Sequence, residues 1–169
     1  MSLLGLLCAI SLLALPFSAR ALPRAGAGAE LRRPHANTCT LTTLKMAFGP
    51  YAPLTTNLTT PLEITGSLKV KCTSGLGYSL TADTGLHGAD ATGSCATAAC
   101  TRALNTGTAY VSYDLYTDNT YTTVWNASNS IGGTGTGAAV TVDFYGYIPA
   151  GIANTPGTYG DTVTVTVTY

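Results

Sequence analysis

Apolar and polar side chains alternate with a period of two along much of this chain. The pattern is strictest near the end of the sequence, where Val163, Val165, Val167 and Tyr169 alternate with threonines. Successive side chains of a β-strand point to opposite faces, so this period predicts a strand with one apolar and one polar face. The same alternation predicts further strands in five other segments: 62–72, 77–83, 109–118, 121–127 and 139–148.

The first predicted strand, 39–48, changes its alternation part of the way along. Cys39 and Leu41 share one face, and the apolar positions resume from Leu44 only after a shift of one residue. Such a shift is typical of a β-bulge or of a strand that passes from one sheet to another. Turns rich in Gly, Pro, Asn and Asp separate the strands, and residues 22–169 have no convincing helical period. About six or seven short strands therefore predict an antiparallel β-sandwich.

Residues 1–21 have the features of a secretory signal peptide. A short apolar run is followed by Pro16 and by Ala19, Arg20 and Ala21, a small-x-small pattern typical of cleavage after Ala21. The run is too short to span a bilayer comfortably, so the sequence predicts no transmembrane segment after cleavage. Residues 22–38 are rich in Ala and Gly and predict a flexible leader, and 39–169 form the predicted domain.

Four cysteines remain after cleavage: Cys39, Cys72, Cys95 and Cys100. An even number in an exported domain favours disulfides, and four cysteines allow three pairings. The short spacing of Cys95 and Cys100 favours a local bridge, which leaves Cys39 with Cys72. If 39–48 and 62–72 are antiparallel neighbours, the start of one strand meets the end of the other, where Cys39 and Cys72 lie. A metal site of cysteines and His87 is the alternative, although the chain lacks a C-x2-C pair.

The charges and the reactive side chains argue against two classes of function. Lys and Arg number 8, Asp and Glu also number 8, and the only adjacent basic pair is Arg32 and Arg33. Phosphate binding needs clustered cations, so nucleic acid is not an expected partner. His87 lies between Asp83 and Asp90 in a Gly-rich loop, which is typical of an exposed turn. The usual nucleophile, zinc and phosphate-binding motifs do not occur, so the sequence predicts no catalytic residues, no metal and no cofactor.

Tyrosines suggest one alternative function. The predicted strands place four of the ten tyrosines on exterior faces: Tyr110, Tyr116, Tyr145 and Tyr147. Exposed aromatic rings can bind sugars, so a free-standing secreted glycan-binding module is an alternative to a structural protein.

Four segments together carry a family resemblance. They are MAFGPYAPL (46–54), LKVKCTSGLGYSLTADTG (68–85), VSYDLYTDNTYTTVW (111–125) and FYGYIPAGIANTPGTYGDTVTVTVTY (144–169). In this order they resemble the spore coat protein U domain family, whose members include pilins of archaic, Csu-type chaperone–usher pili. The resemblance covers residues 39–169.

The resemblance implies an incomplete immunoglobulin-like antiparallel β-sandwich that is completed by a donor strand from a partner. The terminal strand would then border an open groove, with Val163, Val165, Val167 and Tyr169 as the groove residues. A periplasmic chaperone would fill the groove first, and the N-terminal segment of a neighbouring subunit would replace it. This is recognition by strand addition, in which backbone hydrogen bonds join the two chains.

The expected function is therefore a non-enzymatic structural subunit of a bacterial surface assembly. The chain would be secreted through the periplasm to the cell surface, with a periplasmic chaperone, an outer-membrane usher and neighbouring subunits as partners. Residues 22–38 carry small side chains and resemble a weak donor strand, which leaves room for a minor or terminal position in a pilus. A spore or cell-surface coat protein is a further alternative.

Overall fold

The computed structural model of this chain describes residues 36–42 and 46–169. The predicted signal peptide 1–21, most of the predicted leader 22–38 and the shift of alternation at Leu44 lie outside the described residues.

The described residues form eight strands, which are numbered in chain order. They are β1 (Cys39–Thr42), β2 (Leu62–Cys72), β3 (Gly77–Ala82), β4 (Arg102–Asn105), β5 (Tyr110–Tyr116), β6 (Ile131–Thr134), β7 (Val140–Ile148) and β8 (Val165–Thr168). A single turn of 3-10 helix, Gly88–Asp90, lies between β3 and β4.

The strands make two antiparallel sheets. One sheet has the order β1-β2-β7-β5-β4, and the other has the order β6-β3-β8. The apolar sides of both sheets meet in one core, and every neighbouring pair is antiparallel. The predicted antiparallel β-sandwich is confirmed.

Alternating apolar side chains fill the core. Its most deeply buried members come from both sheets and from one loop: Leu68, Val70, Leu80, Ala82, Val111, Leu115, Trp125 and Ile148. Trp125 is fully buried, and its indole Nε1–H donates to the carbonyl of Leu80 at 2.8 Å. This hydrogen bond satisfies the polar edge of the ring and ties the loop after β5 to the middle of β3.

Two disulfides join the four cysteines in the pairs expected from their spacing. The sheet disulfide, Cys39–Cys72, joins residues that face each other in the β1–β2 register, with Cα atoms 4.1 Å apart. The loop disulfide, Cys95–Cys100, closes a small loop that lies beside β5. Backbone N–H groups of this loop region bond to β5, from Thr92 to the Ser112 hydroxyl and from Ala96 to the Tyr116 hydroxyl.

The loop region changes the expected exposure of β5. Alternation predicts an exposed row on this strand, yet Ser112, Asp114 and Tyr116 are all buried. The segment that carries the loop disulfide covers this face of the strand. Tyr116 is therefore not an exterior tyrosine, and burial together with the nearby charge of Asp114 raises its pKa to about 12.

Three other predicted strands differ from the structure. The segment 121–127 forms no strand and keeps a single isolated bridge, from Tyr116 to Val124. The strand at the start of the first predicted segment is Cys39–Thr42, and 46–50 belongs to no strand or sheet. The terminal strand begins only at Val165. The short strands β4 and β6 were not predicted, because four residues are too few for a clear period.

Candidate binding groove

A cavity of about 850 Å³ opens along one side of the sandwich. We call it the groove, and its two walls are the segments 46–51 and 157–165. Its floor is formed by core side chains of both sheets and of the loop after β5, each no more than 8% exposed: Leu68, Val111, Tyr113, Leu115, Trp125, Phe144 and Ile148. The groove is therefore a gap that leads directly to the hydrophobic core.

The first wall, 46–51, is held by its side chains. Gly146 of β7 leaves the space that Met46 and Phe48 occupy, since a Cβ atom on this glycine would collide with both side chains. A Cβ atom on Gly66 of β2 would likewise collide with Met46, and with Phe144 of the floor. Phe48 also packs edge-on against Tyr113, with ring centroids 5.5 Å apart. The wall thus stays in place without belonging to a sheet.

Tyr51 fixes the far end of the first wall. Its hydroxyl donates to the carbonyl of Pro149 at 2.6 Å and accepts from the N–H of Ile152 at 2.9 Å. Both polar functions of the hydroxyl are used, so the wall is joined to the loop after β7. Phe48 and Tyr51 lie in MAFGPYAPL, one of the four segments that carry the family resemblance, but the sequence did not assign this segment to the groove.

The second wall includes the start of β8. This strand pairs with β3 on one edge, and among the described strands it has no partner on the other edge. Val163, Val165 and Val167 are half-buried and packed against the core, whereas the threonines between them are exposed. Val163 and Val165 line the groove; Val167 does not, and Tyr169 is 56% exposed.

Asp161 continues the inward-facing row of β8 and lines the groove. Its carboxylate accepts hydrogen bonds from the Leu86 N–H at 3.0 Å, the Thr162 N–H at 2.8 Å and the Tyr113 hydroxyl at 2.8 Å. Burial and this hydrogen bond to Asp161 raise the pKa of Tyr113 well above its usual value. Asp161 therefore joins the second wall to the groove floor and to the loop after β3.

Asp83 fastens the start of β8 from the other side. Its carboxylate accepts from the N–H groups of Thr164 and Gly85, each at 2.9 Å. Burial opposes the charge of Asp83, but the hydrogen bonds from Thr164 and Gly85 outweigh it and lower its pKa. The second wall is thus held by two carboxylates, Asp83 and Asp161.

A buried ion pair supports the floor from beneath. The side chains of Arg102 and Asp114 are both fully buried, with Nη1 and Oδ1 2.6 Å apart. Arg102 also donates to the carbonyls of Asp83 and Trp125, and Asp114 accepts from the N–H and hydroxyl of Thr101. Among the described residues, no buried side-chain nitrogen or oxygen of this cluster lacks a hydrogen-bond partner. Buried charges are tolerated only when they are paired in this way. Sequence reasoning placed Asp114 on a polar face and did not single out Arg102.

The remaining reactive groups form no metal site in the described residues. His87 lies 3.7 Å from Asp90 on the surface, in the expected turn. In residues 36–42 and 46–169, no three His, Cys, Asp or Glu side chains are close enough to hold a metal ion. Over the same residues, no helix has the length and apolar character needed to cross a membrane.

Two of the predicted exterior tyrosines, Tyr145 and Tyr147, belong to a packed cluster. Tyr145 and Tyr147 of β7 pack against Tyr121, with ring centroids 6.4 Å and 5.3 Å from it. Tyr121 has a positive φ of 55°, in a turn where Asp118 accepts hydrogen bonds from the backbone of Thr120, Thr122 and Thr123. The rings are therefore largely engaged with one another.

Comparisons with known proteins agree on one family and one fold. Residues 30–166 match the sequence model of the Spore Coat Protein U domain. Protein U of Myxococcus xanthus is 37% identical over 127 residues, which cover 72% of this chain and 70% of that protein.

A solved structure also resembles this one. It is a chain in the CsuC-CsuE chaperone-tip adhesion subunit pre-assembly complex from archaic chaperone-usher Csu pili of Acinetobacter baumannii. The TM-score is 0.57 at 20% sequence identity, over 79% of this chain. The match spans 40% of that solved chain. Because the sequence identity is low, the likeness shows a shared fold and no more.

Proposed function

This chain belongs to the Spore Coat Protein U domain family, and we propose that it is a structural subunit of a bacterial surface fibre whose groove is completed by a strand from another chain. The observation that carries this proposal is the groove itself. It lies between the first wall, 46–51, and the second wall, which includes the start of β8, and its floor is the hydrophobic core.

Physical chemistry favours a protein strand as the occupant. In the part of the chain that the structure describes, one edge of β8 has no neighbouring strand to pair with its backbone N–H and C=O groups, which is a known liability in a monomer. An added strand would pair with these groups and lay its alternate side chains on the floor beside Val163 and Val165. The same strand would cover the apolar floor of the groove, since a large apolar surface is unfavourable in contact with water.

The partners follow from this mode of completion. In the periplasm a chaperone would supply the strand first, and an outer-membrane usher would then pass the subunit to a neighbour whose N-terminal segment replaces it. The fold shared with a chain from a chaperone-tip adhesion subunit pre-assembly complex is consistent with a chaperone as the first partner. The assembled product would be a pilus. The alternative product is a spore or cell-surface coat, in which the same groove would join neighbouring subunits.

The geometry favours assembly over a free-standing glycan-binding module. Tyr116 is fully buried, and Tyr145 and Tyr147 pack against Tyr121 instead of presenting separate flat faces. Only Tyr110, at 43% exposure, remains an exposed ring among the four candidates.

Equilibrium unfolding of the mature chain, residues 22–169, tests the proposal. The strand probe is a short peptide in which Val and Thr alternate, made soluble by a neutral polyethylene glycol tail. A ligand that binds only the folded state at 100 times its Kd stabilises it by about 2.7 kcal/mol, so the urea midpoint should rise with probe concentration. The control peptide carries Asp in place of the central Val. A cooperative monomer that is indifferent to the probe would contradict strand completion.

A further inference from the structure

The outer face of β2 carries opposite charges at its two ends. Every second side chain of this strand points away from the core, and this row consists of Glu63, Thr65, Ser67, Lys69 and Lys71. Glu63 is exposed at one end, and Lys69 and Lys71 are exposed at the other. Six residue steps, about 20 Å of strand, separate Glu63 from Lys69. No described residue of opposite charge lies within 4.0 Å of these three side chains, so each end is open to a partner of opposite charge.

Two tyrosines add to the acidic end. Tyr147 of β7 is the cross-strand neighbour of Glu63, and its ring centroid lies 5.3 Å from that of Tyr121. Both rings are half-buried, and burial together with the charge of Glu63 raises the pKa of both phenols. The faces of aromatic rings attract cations, and a nearby carboxylate adds to that attraction. A lysine side chain suits this end, because its apolar stem can lie on the rings while its ammonium group meets Glu63.

The rest of this face lies open in the part of the chain that the structure describes. The segment that carries the loop disulfide covers the outer row of β5, whereas the outer rows of β1, β2 and β7 are exposed or half-buried. Three strands that pair over up to nine residues present roughly 14 Å by 30 Å, or about 400 Å². A stable protein interface takes about 800 Å² from each partner. The face therefore suits a weak contact.

We propose that this outer face packs against the same face of a second copy, with Lys69 of each copy against Glu63 of the other. The two copies are related by a two-fold axis that crosses β2 at a right angle, so their β2 strands run in opposite directions. The acidic end of each copy then lies over the basic end of the other, and the attraction is made twice. Sheets that pack face to face with nearly aligned strands are a usual arrangement in proteins.

Charge selects this orientation. A two-fold axis parallel to β2 would keep the strands in the same direction, and it would place Glu63 over Glu63 of the other copy and Lys69 over Lys69. Like charges that face each other across an interface oppose association. The antiparallel arrangement replaces both repulsions by attractions.

Asp143 of β7 fixes the register. It is exposed and lies level with Ser67 of β2. An axis at Ser67 would pair Glu63 with Lys71, but it would also bring the two copies of Asp143 together. An axis one residue away pairs Glu63 with Lys69 instead and sets the two aspartates about 7 Å apart along the strands. The pairing with Lys69 is therefore the favoured one.

This contact is separate from the groove. The groove leads to the core between 46–51 and 157–165, whereas the outer row of β2 points away from the core. In the proposed fibre, the contact would join subunits of neighbouring fibres side by side, and only this role rests on the proposed function. Many copies of a weak contact along two fibres act together, so fibres can associate even where two free subunits barely do.

Sedimentation equilibrium of the mature chain, residues 22–169, at low salt tests the contact. The strand probe is added in excess, so that an open groove does not contribute to association. The wild type should associate weakly as its concentration rises. E63K and K69E should each weaken association by about tenfold, because each variant turns both attractions into repulsions. The matched control D90K makes the same charge change in the turn beside β4 and should alter association by less than about twofold.

Exchange of the two charges is the decisive measurement. The double variant E63K/K69E restores both attractions with their signs reversed, so it should associate within about twofold of wild type. A mixture of E63K and K69E should form mixed dimers more readily than either variant associates with itself, because both contacts then join opposite charges.

Each outcome decides a separate point. The proposal falls if the wild type shows no association, if D90K acts as strongly as E63K, or if the double variant stays monomeric. The proposed function would still stand in these cases if the strand probe raises the urea midpoint. If the probe leaves that midpoint unchanged while the charge exchange behaves as expected, the contact stands and only the proposed function fails.

Discussion

Replacing Val165 by Asp should weaken both the folded domain and its capture of a strand. Val165 is half-buried, lines the groove and faces Ala82 of β3 in register. Full burial of a valine contributes roughly 1.5–3 kcal/mol, so removing this half-buried one loses about 1 kcal/mol. An unpaired carboxylate against the apolar floor adds roughly 1–3 kcal/mol. We therefore expect the free energy of unfolding to fall by about 2–4 kcal/mol.

The matched control is Thr166→Asp on the same strand. Thr166 is exposed and faces Thr81, so an added charge stays in water and should change stability by about 0.5 kcal/mol or less. Thr164 is a poorer choice, although its side chain is also exposed. Its N–H donates to the Asp83 carboxylate, and an aspartate there would bring two negative charges together.

Urea unfolding followed by Trp125 fluorescence measures both effects. The ring lies on the groove floor and is fully buried, so its emission reports the state of the core. The strand probe should raise the unfolding midpoint of wild type and Thr166→Asp, but not that of Val165→Asp. If the two variants lose equal stability, or if Val165→Asp binds the probe as wild type does, the inward-facing wall has been wrongly assigned.

Three other predictions concern the support of the groove. Replacing both cysteines of the sheet disulfide by serine should lower the free energy of unfolding by about 4 kcal/mol, and the same change in the loop disulfide should lower it by about 2 kcal/mol, because the first disulfide closes the longer loop. Equal losses in urea unfolding would refute this reasoning. Asp114→Ala should lower stability by about 3–5 kcal/mol, since it leaves the buried charge of Arg102 unpaired, and the combined Arg102→Met and Asp114→Leu chain should recover much of that loss. Stability should fall in acid, because hydrogen bonds outweigh burial and lower the pKa of Asp118 in the fold. Its contribution is complete above the unfolded pKa of about 3.9 and is lost as the pH falls through the lower folded value, so Asp118→Asn should flatten a plot of urea midpoint against pH.

The alternation of side chains predicted the strands that have a regular burial pattern. The strand β2 matches its predicted bounds, and β7 and β8 lie inside theirs, because one face of each meets the core and the other meets water. The same rule was wrong for the outer row of β5. A period of two shows which side chains share a face, but it does not show that a distant segment covers that face.

The candidate site was less accessible to sequence reasoning. Val163 and Val165 follow from a local pattern, whereas the first wall belongs to no sheet and its place at the groove was not predicted. Arg102 lies outside every alternating segment, and its partner Asp114 is twelve residues away. Asp161 was not predicted at the groove, because its place there depends on Tyr113 and Leu86, which only the fold brings to it.

The sheet disulfide has a mechanical consequence for a subunit in a fibre. If the leader is held by the next subunit, tension along the fibre enters this domain at Cys39, the first residue of β1. Without the disulfide, a force on the end of this four-residue edge strand would break its hydrogen bonds to β2 one at a time. The covalent link to Cys72 carries the load directly into β2, which pairs with β7 over nine residues. Tension then acts on many hydrogen bonds at once, along the strands, and the weakest strand of the sheet lies outside the path of the force.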